Sequence, residues 1–157
     1  MVKEEFSAQF DQTWSIFTEI VGSFPDDSWT SYGVGYVVPA RVAYHALLGV
    51  EYYIEYKSNW GNRTGRDWSS MATTLLPSQE DIQEYAEDLS TSLNQWLSRL
   101  DLDAENKRFE WAGKTQSGVL IFLLRHTMYH IGELNGLLYA LTDGTIDDMW
   151  MKGFHAR

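Results

Sequence analysis

Val119-Leu120-Ile121-Phe122-Leu123-Leu124-Arg125-His126-Thr127-Met128-Tyr129-His130-Ile131-Gly132-Glu133-Leu134 is the stretch on which the fold turns. It opens on a solid apolar run and is followed by Leu137, Leu138 and Leu141, the pattern of a helix packed on several sides. Thr115 or Ser117 can cap its start and Asp143-Gly144 supplies a stop, so a final helix reaching about Leu141 is expected. Its two histidines stand four apart, which on a helix puts both imidazoles on one face about a turn from each other.

Working back from this helix, Ser78-Gln79-Glu80-Asp81 resembles a capping box with Asp in the place of the usual Glu or Gln. Behind it, Ile82, Tyr85, Ala86, Leu89, Leu93, Trp96, Leu97 and Leu100 form the cleanest helical stripe in the chain, a third helix ending near Leu100. The acidic stretch Glu80 to Asp88 is a solvated face of that helix. Between helices three and four, Asp101 to Lys114 is polar with Phe109 and Trp111 embedded.

Pro39 suits a first helical turn, and Ala40 to Lys57 then clusters Val42, His45, Ala46, Gly49, Tyr52, Tyr53 and Tyr56 on adjoining faces, giving helix two. Helix one follows from Phe6, Phe10, Trp14, Phe17, Ile20 and Val21 between Lys3 and Val21. Phe24-Pro25-Asp26-Asp27 breaks it, Ser28 can cap a short turn, and Gly33 and Gly35 make Tyr32 to Val38 a loop or frayed entry. Ser58 to Pro77 carries turn chemistry with Trp60 and Trp68, and is expected to be a long ordered loop anchored by those two rings. The expectation is one all-α domain over residues 1–157, an up-down four-helix bundle with its longest connection between helices two and three.

Composition narrows the partners. With 22 acidic against 12 basic residues the formal charge is -10, a field that repels phosphate backbones and anionic lipid surfaces, so neither nucleic acid nor membrane is an expected partner. The absence of cysteine rules out disulfides, thiolate ligands and a cysteine nucleophile in the protein itself. No basic leader precedes an apolar run at the start, and no stretch reaches the ~18 apolar residues of a membrane span, so a cytoplasmic location is the default.

The chemistry rests on His126, His130 and His45, three of only four histidines. His45 lies on the face of helix two that also carries Val42, Gly49, Tyr52 and Tyr56 and so should point inward. Three imidazoles from two helices can hold Zn, Ni, Cu or Fe and leave a coordination position open for water or substrate. The competing account is that these are ordinary core histidines hydrogen-bonded to backbone or hydroxyl groups.

Arg125-His126-Thr127-Met128-Tyr129-His130-Ile131-Gly132-Glu133-Leu134 resembles the final-helix signature of the DinB/YfiT-like superfamily, His-x-x-x-His-x-Gly-Gln/Glu after an apolar run. Val42-Ala43-Tyr44-His45-Ala46-Leu47-Leu48 is similar to that family's helix-two motif, and the two occur in the family's order. The resemblance implies a four-helix bundle with a divalent metal, most often Zn or Ni, under His45, His126 and His130. Some relatives are transferases or isomerases that use mycothiol or bacillithiol, so a low-molecular-weight thiol is implied as a second cofactor. No thiol-cofactor motif is recognisable in this chain.

Around the three histidines, Glu133 shares their face and could be a general base, a fourth ligand or an acceptor for an imidazole N–H, the last being preferred. Tyr52 could donate to a bound substrate, or be core with a wet hydroxyl. Gly132 and Gly136 permit a close helix contact within the bundle or across a homodimer, the former being the expected use. His155 is expected at the surface, and Trp150 and Phe154 could fold back over the bundle mouth. The function expected is a metal-dependent enzyme on a small-molecule substrate, a thiol-cofactor S-transferase or isomerase or a hydrolase. The alternatives are a non-enzymatic, stress-associated metal-binding protein and an interaction module assembling through aromatic faces.

Overall fold

The computed structural model describes residues 2–56 and 69–146, and these are all-helical. Helix α1 spans Val2–Ser23, a short α2 spans Asp26–Trp29, and α3 spans Pro39–Tyr53. Helix α4 spans Gln79–Arg99 and α5 spans Gln116–Leu141. Single 3-10 turns lie at Thr73–Leu75 and Glu110–Ala112. Among the described residues no helix is long and apolar enough to cross a membrane.

The principal contacts pair α1 with α4 and α5, and α3 with the same two helices. Phe10, Phe17, Ile20, Leu47, Leu89, Leu93, Leu120 and Leu123 are sealed from solvent between them. Each such side chain contributes about 1.5–3 kcal/mol on leaving water. Polar ties fix the pairing. Lys3 Nζ donates to Ser98 O, Ser7 Oγ to Asn94 Oδ1 and Gln83 Nε2 to Thr18 O, so α1 and α4 run in opposite directions. Helices α3 and α5 are also opposed, since Tyr53 meets Phe122 while His45 meets His130. The Tyr85 hydroxyl donates to the buried Glu51 carboxylate and ties α4 to α3.

Two helix boundaries show local rules at work. Ser78 and Asp81 form the capping box that begins α4, with Asp81 N donating to Ser78 Oγ at 3.1 Å and Ser78 N to Asp81 Oδ2 at 3.2 Å. Helix α3, expected to reach Lys57, stops at Tyr53. Glu55 adopts a left-handed φ of 57°, and Tyr56 N donates back to Glu51 O, the six-to-one bond of a Schellman ending. That position is usually glycine, which is why the sequence pattern ran past it.

At the start of α5, Thr115 takes the N-cap position without a side-chain bond. Ser117 Oγ, the other capping candidate, donates to Leu102 O and fastens the preceding loop instead. The break after α1 contains the short α2, and Val34 and Val37 bridge in a tight turn beyond it. Gly33 is required there, because a Cβ at its φ of 96° would fall 1.9 Å from Val37 O. Trp60, Trp68, Trp150, Phe154 and His155 lie outside the described residues.

Candidate metal centre

Helix α5 delivers His126 and His130 from one face, one turn apart, and α3 delivers His45 from the opposed helix. One ligand atom from each of the three can be chosen so that all lie within 4.8 Å of one another. His126 Nε2 stands 3.2 Å from His130 Nε2. The ring centroids are 4.7 Å apart for His45 and His130, 5.4 Å for His45 and His126, and 4.6 Å for His126 and His130. All three pairs meet edge-on, as donors around one point do.

The close approach depends on Gly49. A Cβ at that position would lie 2.5 Å from His126 Cε1 and 3.2 Å from each ring nitrogen, so the imidazole occupies the space a side chain would fill. Behind His130, Glu133 Oε2 lies 2.7 Å from Nδ1, across one further turn of α5. A carboxylate accepts from Nδ1–H, which leaves the Nε2 lone pair turned toward His126. The hydroxyl of Tyr129 also donates to Glu133. That bond, reinforced by the carboxylate's charge, holds the exposed Tyr129 phenol above its ordinary pKa.

Burial, then the neighbouring His130, lowers His45 to about 4, with Glu133 opposing the shift. Burial, then His130 and His45, lowers His126 to about 4. Both rings are therefore neutral at pH 7, the form that ligates metal. His126 Nδ1 is buried without a hydrogen-bond partner. The nitrogen that faces His130 is Nε2, so the unmet Nδ1 is not the atom that an ion shared with His130 would take. Nitrogens held ~2.0–2.1 Å from one tetrahedral ion stand about 3.3 Å apart, close to the His126–His130 separation, so the donor set fits a transition metal in type, and in spacing for that pair, with His45 inside the 4.8 Å that bounds all three.

On the side of His45 and His126 away from Glu133 opens a cleft of about 380 Å³, walled by Leu48, Tyr52, Tyr53 and Phe122. Tyr52, half-exposed, thus faces the cleft and is not core. Gly132 and Gly136 meet nothing within 4 Å of where their Cβ atoms would stand, so among the described residues they serve no close packing inside the chain. A larger groove of about 560 Å³ between α1 and α4 is lined by Asp11, Glu84, Glu87 and several hydroxyls, with no imidazole among the described residues there.

Sequence reasoning did not single out Phe122, Tyr53 or Phe109 as part of this site. Phe122 had a usable signal, since it stands four residues before His126 and stacks on it at 6.1 Å and 19°. Phe109 had none, because it arrives from a loop. Compared with family models, with curated proteins and with solved structures, the chain finds no match in any of the three.

Proposed function

We propose that this chain is a divalent-metal-binding protein of the DinB/YfiT-like kind, and a metal-dependent enzyme acting on a small molecule. The observation that carries the reading is the convergence of His45, His126 and His130 from two opposed helices, with Glu133 bonded to the far nitrogen of one of them. Zn or Ni suits three neutral imidazoles. When bound, such an ion supplies a Lewis acid that lowers the pKa of a thiol or a water.

The chain's own residues have separable tasks. His45, His126 and His130 hold the ion, and Gly49 makes room for His126. Glu133 orients His130 and keeps a proton on Nδ1, a role better matched to its 2.7 Å contact than that of a free base. Leu48, Tyr52, Tyr53 and Phe122 exclude water on the open side. A cleft reaching His45 and His126 favours the enzyme over a protein that keeps metal for stability alone. The reactions in view are S-transfer or isomerisation with a low-molecular-weight thiol, and hydrolysis.

We further infer that the four long helices form one four-helix bundle. Helices α3 and α4 both start beside α2, where Trp29 Nε1 donates to Pro77 O and Gln79 Nε2 to Phe24 O. That favours directions up, down, down, up over strict alternation. It also leaves the α3–α4 connection a bundle length to cover, which accounts for its being the longest.

The test is elemental analysis of protein purified without an affinity tag, followed by cobalt substitution and titration with thiols and azide. Stoichiometric metal and a change in the visible spectrum are expected. Metal without a spectral response would give the site to the binding-protein reading, and failure of His130→Ala to reduce metal uptake would remove the metal reading itself.

A further inference from the structure

The cleft beside His45 and His126 is walled by Tyr52, Tyr53 and Phe122, and Phe109 packs against the first two to make the ring contacts continuous. Tyr52 meets Phe109 at 5.5 Å between centroids, Phe109 meets Tyr53 at 4.4 Å, Tyr53 meets Phe122 at 5.0 Å, and Phe122 stacks on His126. The series leads from the half-exposed Tyr52 to a metal-ligating imidazole. Among the described residues lining the cleft, none is Asp, Glu, Lys or Arg.

This wall is built, with each ring held in place. Asn106, buried in the loop before α5, donates through Nδ2 to Phe109 O at 2.6 Å and Gly113 O at 2.7 Å, and accepts from Phe109 N at 3.0 Å. The loop so shaped presses Phe109 against Tyr53 and places Trp111 Nε1 2.5 Å from the Tyr53 hydroxyl, to which it donates. Arg108 lies over the rings of Tyr52 and Phe109, at 5.5 and 4.8 Å from their centroids, and pairs with Glu55. Its charge is thereby matched at the rim, while its guanidinium polarises the outer faces of the two rings.

We infer that this cleft takes a flat, uncharged aromatic group of the substrate, lodged against Phe122 and Tyr52, with a donor atom of the same molecule directed at the metal. The inference rests on the metal reading for its second half and on the ring wall for its first. Aromatic walls favour flat apolar ligands through area and ring–ring geometry together. A volume of about 380 Å³ falls within the ~300–1,000 Å³ of small-molecule sites, toward the small end. The formal charge of -10 adds a long-range term against strongly anionic ligands.

Two measurements separate the halves. In metal-free protein labelled at Phe and Tyr, benzyl alcohol is titrated by NMR. Shifts at Phe122, Tyr52 and Tyr53, saturable and abolished in Tyr52→Ala, are expected; their absence would overturn the cleft assignment whatever the metal does. Tyr52 is half-exposed, so its replacement leaves the core intact.

In cobalt-loaded protein, acetohydroxamate and benzohydroxamate are compared through the visible spectrum. Benzohydroxamate should bind about tenfold tighter, and Tyr52→Ala and Phe122→Ala should each remove most of that advantage. Equal affinity of the pair would overturn the inference. If cobalt is not taken up while benzyl alcohol still shifts the three rings, the metal reading fails and the aromatic site stands.

Discussion

The imidazole of His126 rests against the bare α-carbon of Gly49, where a Cβ would come within 2.5 Å of Cε1. Gly49 stands four residues after His45 on α3, so one helix face supplies both a ligand and the space for another. Gly49→Ala should gain about 1 kcal/mol of helix propensity and yet push His126 out of register. Metal affinity measured by chelator competition should fall ~10–100-fold, while circular dichroism stays helical. Unchanged affinity would mean that the ring relaxes freely.

Glu133→Gln keeps an acceptor for His130 Nδ1–H but removes the charge. Metal should be retained with affinity lowered about tenfold, and turnover, once a substrate is known, should fall by no more than that. A general base at this position would instead cost ~10²–10⁴-fold in rate at unchanged metal content. Comparing metal content with turnover in the one variant separates the two roles.

Acid should weaken the metal-free protein in a defined window. His45 and His126 titrate at about 4 when folded against 6.5 as free groups, so the unfolded chain binds more protons between those values. Stability is fully present above about 6.5 and is lost progressively as pH falls toward about 4. A His45→Gln, His126→Gln double variant should show a flatter dependence of melting temperature on pH across that range. Identical slopes would assign the acid sensitivity to carboxylates instead.

Asn106→Ala removes three hydrogen bonds from a buried side chain and takes their partner from Gly113 O and Phe109 N, while Phe109 O still accepts from Ala112 N. A loss of about 2–3 kcal/mol in urea unfolding is expected, since each orphaned group costs ~1–3 kcal/mol and partial hydration of a loop offsets some of it. Quenching by acrylamide should rise in the same variant, as Trp111 loses its hold on Tyr53.

The helices were legible wherever a local rule governs the chain. The Ser78–Asp81 capping box and the stripe behind it place α4 to within a residue. The histidine cluster was legible because His126 and His130 obey helical spacing and because Val42, Gly49 and Tyr52 mark the inward face around His45. The end of α3 was not, since Glu55 takes a conformation its residue type rarely adopts. The aromatic cleft was not legible either. Its rings come from α3 and α5 and are backed by Phe109 from a loop whose course is set by one asparagine, and no periodicity spans those three pieces.

The pairing of His45 with His126 and His130 also has a meaning in polymer terms. An ion held by all three would staple a position in the first third of the chain to two in its last third, closing about half of the sequence into a ring. In a protein without cysteine, that staple is the counterpart of a long-range disulfide, drawing on the same loss of freedom in the unfolded chain. It differs in being reversible by competition, so the availability of free metal, instead of the redox poise, sets how tightly the chain is closed.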